Sequence, residues 1–65
     1  MNLSYWKSSI PNISTDGLRI LAEDTFQRIG SHVSGGNPVT EYIERQQALL
    51  ELIQEELISR SNTGG

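Results

Sequence analysis

Between two stretches of helical periodicity lies Ser34-Gly35-Gly36-Asn37-Pro38, and this punctuation limits the fold more than any other feature of the chain. Glycine tolerates the left-handed backbone that closes a helix C-terminus. Asparagine is a favoured N-cap, and proline at the first helical position gives up only an amide that has no partner there. One helix therefore ends at the glycines and another starts at Pro38. So short a link turns the chain back on itself, and the two helices are expected to lie antiparallel as a hairpin.

The flanking sequences fit that division. Ser14, Thr15 and Asp16 offer N-cap side chains. Leu18, Leu21, Ala22, Phe26, Ile29 and Val33 then recur at the i, i+3, i+4 spacing of an amphipathic helix over 14–33, with Ile20 off the stripe. On its polar face Glu23 and Gln27, and Asp24 and Arg28, stand four apart and support the helix modestly. The second helix is predicted over 38–60. With Ile43, Leu50 and Leu57 at heptad position a, Val39, Gln46 and Ile53 fall at d, and Tyr42 and Leu49 flank them at g. A seam of a, d and g positions is wide enough to contact the first helix and a further partner together. Leu52 and Ile58, at c and b, lie outside it and would be wet in a lone hairpin. Residues 61–65 carry nothing that packs and are expected to be a disordered tail.

Residues 1–13 place Tyr5 and Trp6 among Leu3, Ile10 and Ile13, which is too apolar for a free tail. Asn2 can cap one short turn through Trp6, and Pro11 stops a helix at or before Ile10. The segment is read as a lid folded over the helices, with Trp6 as a partner anchor in the alternative.

Size then sets the energetic problem. A chain of 65 residues buries only about 60% of the surface its unfolded form exposes. It has no cysteine for disulfides or thiolate metal sites, and its one histidine, His32, has Ile29 where a Glu-x-x-His metal motif needs glutamate. Either an unusually well-packed helical core or association between copies must supply the difference, and association is the commoner solution. The all-α hairpin is therefore expected to pair as a dimeric four-helix bundle about a two-fold axis. Its oligomer interface is read as Ile43, Gln46, Leu49, Leu50, Ile53 and Leu57 with Phe26 and Ile29. Gln46, polar within an apolar seam, would select register.

Charge narrows the functional classes. The net charge of -3 and five scattered basic residues disfavour direct nucleic-acid binding. Five of the eight acids fall in residues 37–65. Glu41, Glu44, Glu51 and Glu55 form a ridge on the back of the second helix, read as a solvated face that could also meet a basic partner or, less readily, imitate nucleic acid. No apolar run approaches the ~20 residues that span a bilayer, and the start lacks a signal-peptide layout, so a cytoplasmic protein with no membrane role is expected. A two-helix fold has little room for a catalytic cleft. The chain is accordingly expected to be no enzyme, to need no cofactor, and to bind and regulate a larger protein through Tyr5, Trp6, Leu52, Ile58, Glu44, Glu51 and Glu55. A small assembly component, such as a phage or virion accessory protein, is the alternative. The general plan is similar to that of several small regulators that dock on larger proteins, among them kinase inhibitors and proteolysis adaptors. That likeness is one of architecture and carries no residue over.

Overall fold

The computed structural model describes residues 3–36 and 39–62. Helices make up almost all of them, and no strand occurs among the described residues. The chain runs through α1 (Leu3–Ser9), a 3-10 turn (Ile10–Asn12), α2 (Thr15–Ser34) and α3 (Thr40–Asn62).

The start of α2 is built as its sequence suggests. Ser14 is the N-cap, with extended backbone and a side-chain oxygen that accepts from the Gly17 amide at 3.0 Å. Asp16 sits in the first turn, where a negative charge complements the helix dipole. Ile13, the residue before the cap, packs against the core to which Leu18 belongs, as in a hydrophobic staple. Gly17 makes room for it, because a Cβ there would stand 2.9 Å from the Ile13 Cγ2. At the far end the glycines divide the work. Gly35 remains in the right-handed region and donates to the Ser31 and His32 carbonyls, whereas Gly36 takes the positive φ of 92° that ends the helix.

The turn is closed by a contact the periodicity did not reveal. The Val39 amide donates to Nε2 of His32 at 2.8 Å, and the His32 ring lies 4.5 Å from that of Tyr42. Nε2 must be the unprotonated ring nitrogen to accept this bond. The Ile43 amide donates to the Val39 carbonyl at 3.2 Å, so Val39 caps the first turn of α3 while its own amide is held by α2. The proposed cap at Asn37 with Pro38, like that at Asn2, lies outside the described residues.

At the open end, the antiparallel arrangement is tied by Arg60. Its Nη1 donates to the Thr15 hydroxyl at 3.1 Å, and Nη2 donates to the Ile10, Pro11 and Ile13 carbonyls at 3.3, 3.4 and 2.7 Å. Nε is held by Glu56 at 2.8 Å. A planar guanidinium has the fork of donors to gather several carbonyls, a geometry an ammonium cannot copy. The Ile10 carbonyl also accepts the Ile13 amide at 3.1 Å, so Arg60 is its second donor at the end of the 3-10 turn.

Two boundaries differ from expectation. The N-terminal helix continues past Trp6 to Ser9, and the chain then tightens into the 3-10 turn, whose Pro11 sits where an amide is not required. α3 runs to Asn62, so Ser61 and Asn62 belong to the helix and not to a tail; the Arg60 clamp holds the preceding turn in place. Thr63, Gly64 and Gly65 lie outside the described residues.

Trp6 and Ile13 of the N-terminal segment pack on the hydrophobic core, which consists of Ile10, Leu18, Leu49 and Ile53. One of the four comes from the 3-10 turn, one from α2 and two from α3. Leu21, Ala22, Leu52 and Leu57 surround them. All of this lies in the half of the hairpin away from the turn.

Candidate interaction surfaces

In the turn half, no residue of 26–36 or 39–45 is buried. The same two helices cross there with the same periodicity, and only the third element is missing. Thr25 and Gln46 mark the border. Both are buried on the seam, and the Thr25 hydroxyl is satisfied by the Leu21 carbonyl at 2.8 Å. Beyond them Ile29 and Ile43 are half-buried, and Phe26, Val33 and Val39 are 67, 51 and 56% exposed.

The first helix therefore meets α3 along Leu18, Leu21, Thr25 and Ile29, and the expected stripe is corrected at two positions. Phe26 and Val33 stand on its flank, in solvent. At α3 the correction is a rotation. The buried residues are Gln46, Leu49 and Ile53, from positions d and g, while Ile43, Leu50 and Leu57 at a are only half-buried and Val39 is exposed. The N-terminal segment causes it. Lys7, Ile10 and Pro11 line a hollow with Leu52, Glu55, Glu56 and Ser59 of α3, which pulls the c and g side of that helix inward. Leu52 is consequently packed on the core, whereas Ile58 remains 60% exposed.

Helical geometry assigns these flanks to faces. In an antiparallel pair of right-handed helices, the flank reached by turning the same way from the shared seam, viewed from each helix's own N-terminus, lies on one face for both. Ala22, Phe26, Ile29 and Val33 occupy that flank of α2; Val39, Ile43, Leu50 and Leu57 occupy it on α3. The result is one apolar face. The N-terminal segment covers the opposite face, where Trp6 and Ile13 line an open groove with Gly17, Ile20, Leu21 and Asp24. Nearer the turn, that opposite side becomes polar, lined by Asp24, Gln27, Arg28, Ser31, His32 and Tyr42.

The residues expected to form the oligomer interface thus separate into two sets. Gln46, Leu49 and Ile53 are buried within the single chain, so they hold the hairpin itself. Ile29, Ile43, Leu50 and Leu57 retain accessible surface, and Phe26 is the most exposed of the set. Among the expected partner contacts, Tyr5 is exposed and meets Trp6 edge-on at 5.2 Å, while Trp6 itself is half-buried. Glu44, Glu51 and Glu55 are exposed on the back of α3, with Glu41 beside them in a long ion pair to Arg45 at 4.0 Å. Exposed pairs of this kind contribute little.

Arg60 is the tethering side chain that the periodicity does not reveal. Its partners lie 45 to 50 residues away, beyond the reach of any local pattern. Glu56 four residues earlier was the one available sign of an ordered guanidinium.

No group of three or more His, Cys, Asp or Glu able to hold a metal ion occurs among the described residues. None of the described helices is long and apolar enough to cross a membrane. Comparison with protein-family models, with curated proteins and with solved structures finds no match.

Proposed function

We propose that this chain is a self-associating helical interaction module that binds, and thereby regulates or tethers, a larger protein. The observation that carries the reading is the imbalance between core and surface. Only four apolar residues among those described are buried, and the chain exposes 4594 Å² where a compact monomer of 7.2 kDa exposes about 4,100 Å². Its radius of gyration, 12.8 Å, also exceeds the ~10.8 Å of a compact 65-residue domain. Apolar side chains left on such a frame favour association, because burying each one against a partner gains roughly 25 cal/mol per Å² removed from water.

Two surfaces suit two tasks. The apolar face opposite the N-terminal segment offers the broad, uncharged area that pairing into a four-helix bundle requires. The groove beside Trp6 and Ile20, with Tyr5 nearby and the glutamate ridge on the far helix, suits a larger partner, since aromatic anchors and rim charges dominate such contacts. In this reading the chain works by occupancy and not by catalysis.

Sedimentation velocity on the intact chain from about 1 µM to 1 mM, with thermal unfolding at the same concentrations, tests the self-association. The reading expects the mass to double and the midpoint of unfolding to rise with concentration, since a complex that stabilises the folded state makes stability depend on concentration. A constant monomer mass with a constant midpoint would contradict it.

A further inference from the structure

We infer that the occupant of the apolar face is a second copy of this chain, docked face to face about a two-fold axis through the region of Phe26, Ile29, Ile43 and Leu50. The inference deepens the self-association reading and rests on it.

Charge and area on this face both point to a copy as the occupant. The chain has a net charge of -3, and its acidic ridge would repel a like molecule approaching from that side. The apolar face avoids the problem. On α2 its edge carries Asp16, Arg19 and Glu23, with Arg19 paired to Asp16 at 3.6 Å, and on α3 it carries Gln47 and Gln54, which are neutral; all five are exposed. Two copies brought together here meet no wall of like charge. A strongly charged partner, by contrast, would find no cluster of one sign on this edge to pair with.

The area is that of a modest dimer. From Val39 to Leu57 the strip on α3 runs about 27 Å at 1.5 Å per residue. The molecule is 20 Å across its second dimension. A footprint on the order of 500 Å² per copy results, or about 1,000 Å² in total, the lower limit for a specific interface. A weak, concentration-dependent pair is the outcome. Two-fold symmetry makes each side present the same patch, so that one surface serves both partners.

Exposure makes the test clean. Phe26 and Val33 are far enough into solvent that Phe26→Glu and Val33→Glu leave the hairpin folded, which circular dichroism verifies. Ile20→Glu is the control, because Ile20 is 69% exposed on the other side of α2. Sedimentation equilibrium on the intact chain should give a dimer for the unsubstituted protein and for Ile20→Glu. Each of the two glutamate variants on the face should raise the dissociation constant by at least about 10-fold, the effect of losing about 1.4 kcal/mol. Raising salt from 50 to 500 mM should change the dimer constant by less than about 3-fold, since no charge pair is made.

A chain that stays monomeric to 1 mM would overturn both this inference and the self-association reading. Undiminished dimerisation of Phe26→Glu and Val33→Glu, with loss in Ile20→Glu, would overturn only this inference, leaving the copy to dock on the groove side. Growth of the unsubstituted protein beyond a dimer would overturn the closed two-fold pair.

Discussion

The two halves of the hairpin share the same helices, the same spacing and the same antiparallel crossing, yet only one of them has an interior. Where α1 and the 3-10 turn lie across the pair, Ile10, Leu18, Leu49 and Ile53 are shut away from water. Where the helices are alone, nothing between 26 and 45 among the described residues is buried. A helix pair offers each side chain a neighbour on one side only. A third layer is what converts contact into burial, and here the chain supplies that layer along half its length. The other half needs it from outside.

The largest way to break this contrast is to compare charge at equivalent seam positions. Ile53→Asp places an unpaired carboxylate in the three-element core, a change that costs about 4 kcal/mol or more and should abolish cooperative unfolding. Ile43→Asp, in the half without a core, should leave the fold intact by circular dichroism while weakening association. Equal loss of structure in the two variants would erase the difference between the halves.

Arg60→Ala sharpens it next. The substitution removes the donors that gather the N-terminal segment onto α3, a loss of about 2 kcal/mol for a charge-assisted cluster whose Arg60 side chain is 25% exposed. Trp6 is the single tryptophan, so its fluorescence should shift to the red as the segment loosens. Arg60→Lys should recover less than half of the stability, because an ammonium cannot reach the Ile10, Ile13 and Thr15 oxygens together. Unchanged tryptophan emission in Arg60→Ala would show that the clamp does not hold the segment.

At the turn the effects become smaller. His32→Ala loses the bond to the Val39 amide and the ring contact with Tyr42, and should lower stability by about 1 kcal/mol in chemical denaturation. Gly30→Ala should raise it by up to about 1 kcal/mol, since Gly30 lies inside α2 with open space where a Cβ would stand. A fall in stability in Gly30→Ala would mean that this stretch of helix is already packed against something.

Local chemistry made the elements legible. Ser14 as cap, the glycines as stop and the i, i+3, i+4 spacing each name a backbone requirement, and the structure meets them. Position on the seam was harder to read. Hydrophobicity favours Phe26 over Thr25, but the crossing geometry turns Thr25 inward, and its hydroxyl is satisfied by Leu21 within its own helix, so burial there leaves no bond unmade. Heptad lettering likewise ranked Ile43, Leu50 and Leu57 with Ile53, whereas the N-terminal segment drew Leu49 and Leu52 inward on the other side. That rotation depends on an element remote in sequence, as does the Arg60 clamp. Of the interaction surfaces, the apolar residues were readable one by one; their division between a covered face and an open one required the third element to be in place.

Hydrogen exchange at two concentrations tests the central claim most directly. At about 5 µM, amides of residues 15–25 and 46–60 should be protected, while those of 26–34 and 40–45 exchange fast. At about 1 mM the second group should slow by at least roughly 10-fold, in line with dimer formation, and the first should change much less. Uniform protection along both helices at the lower concentration would show that the turn half has an interior of its own, and the need for a second layer from outside would vanish.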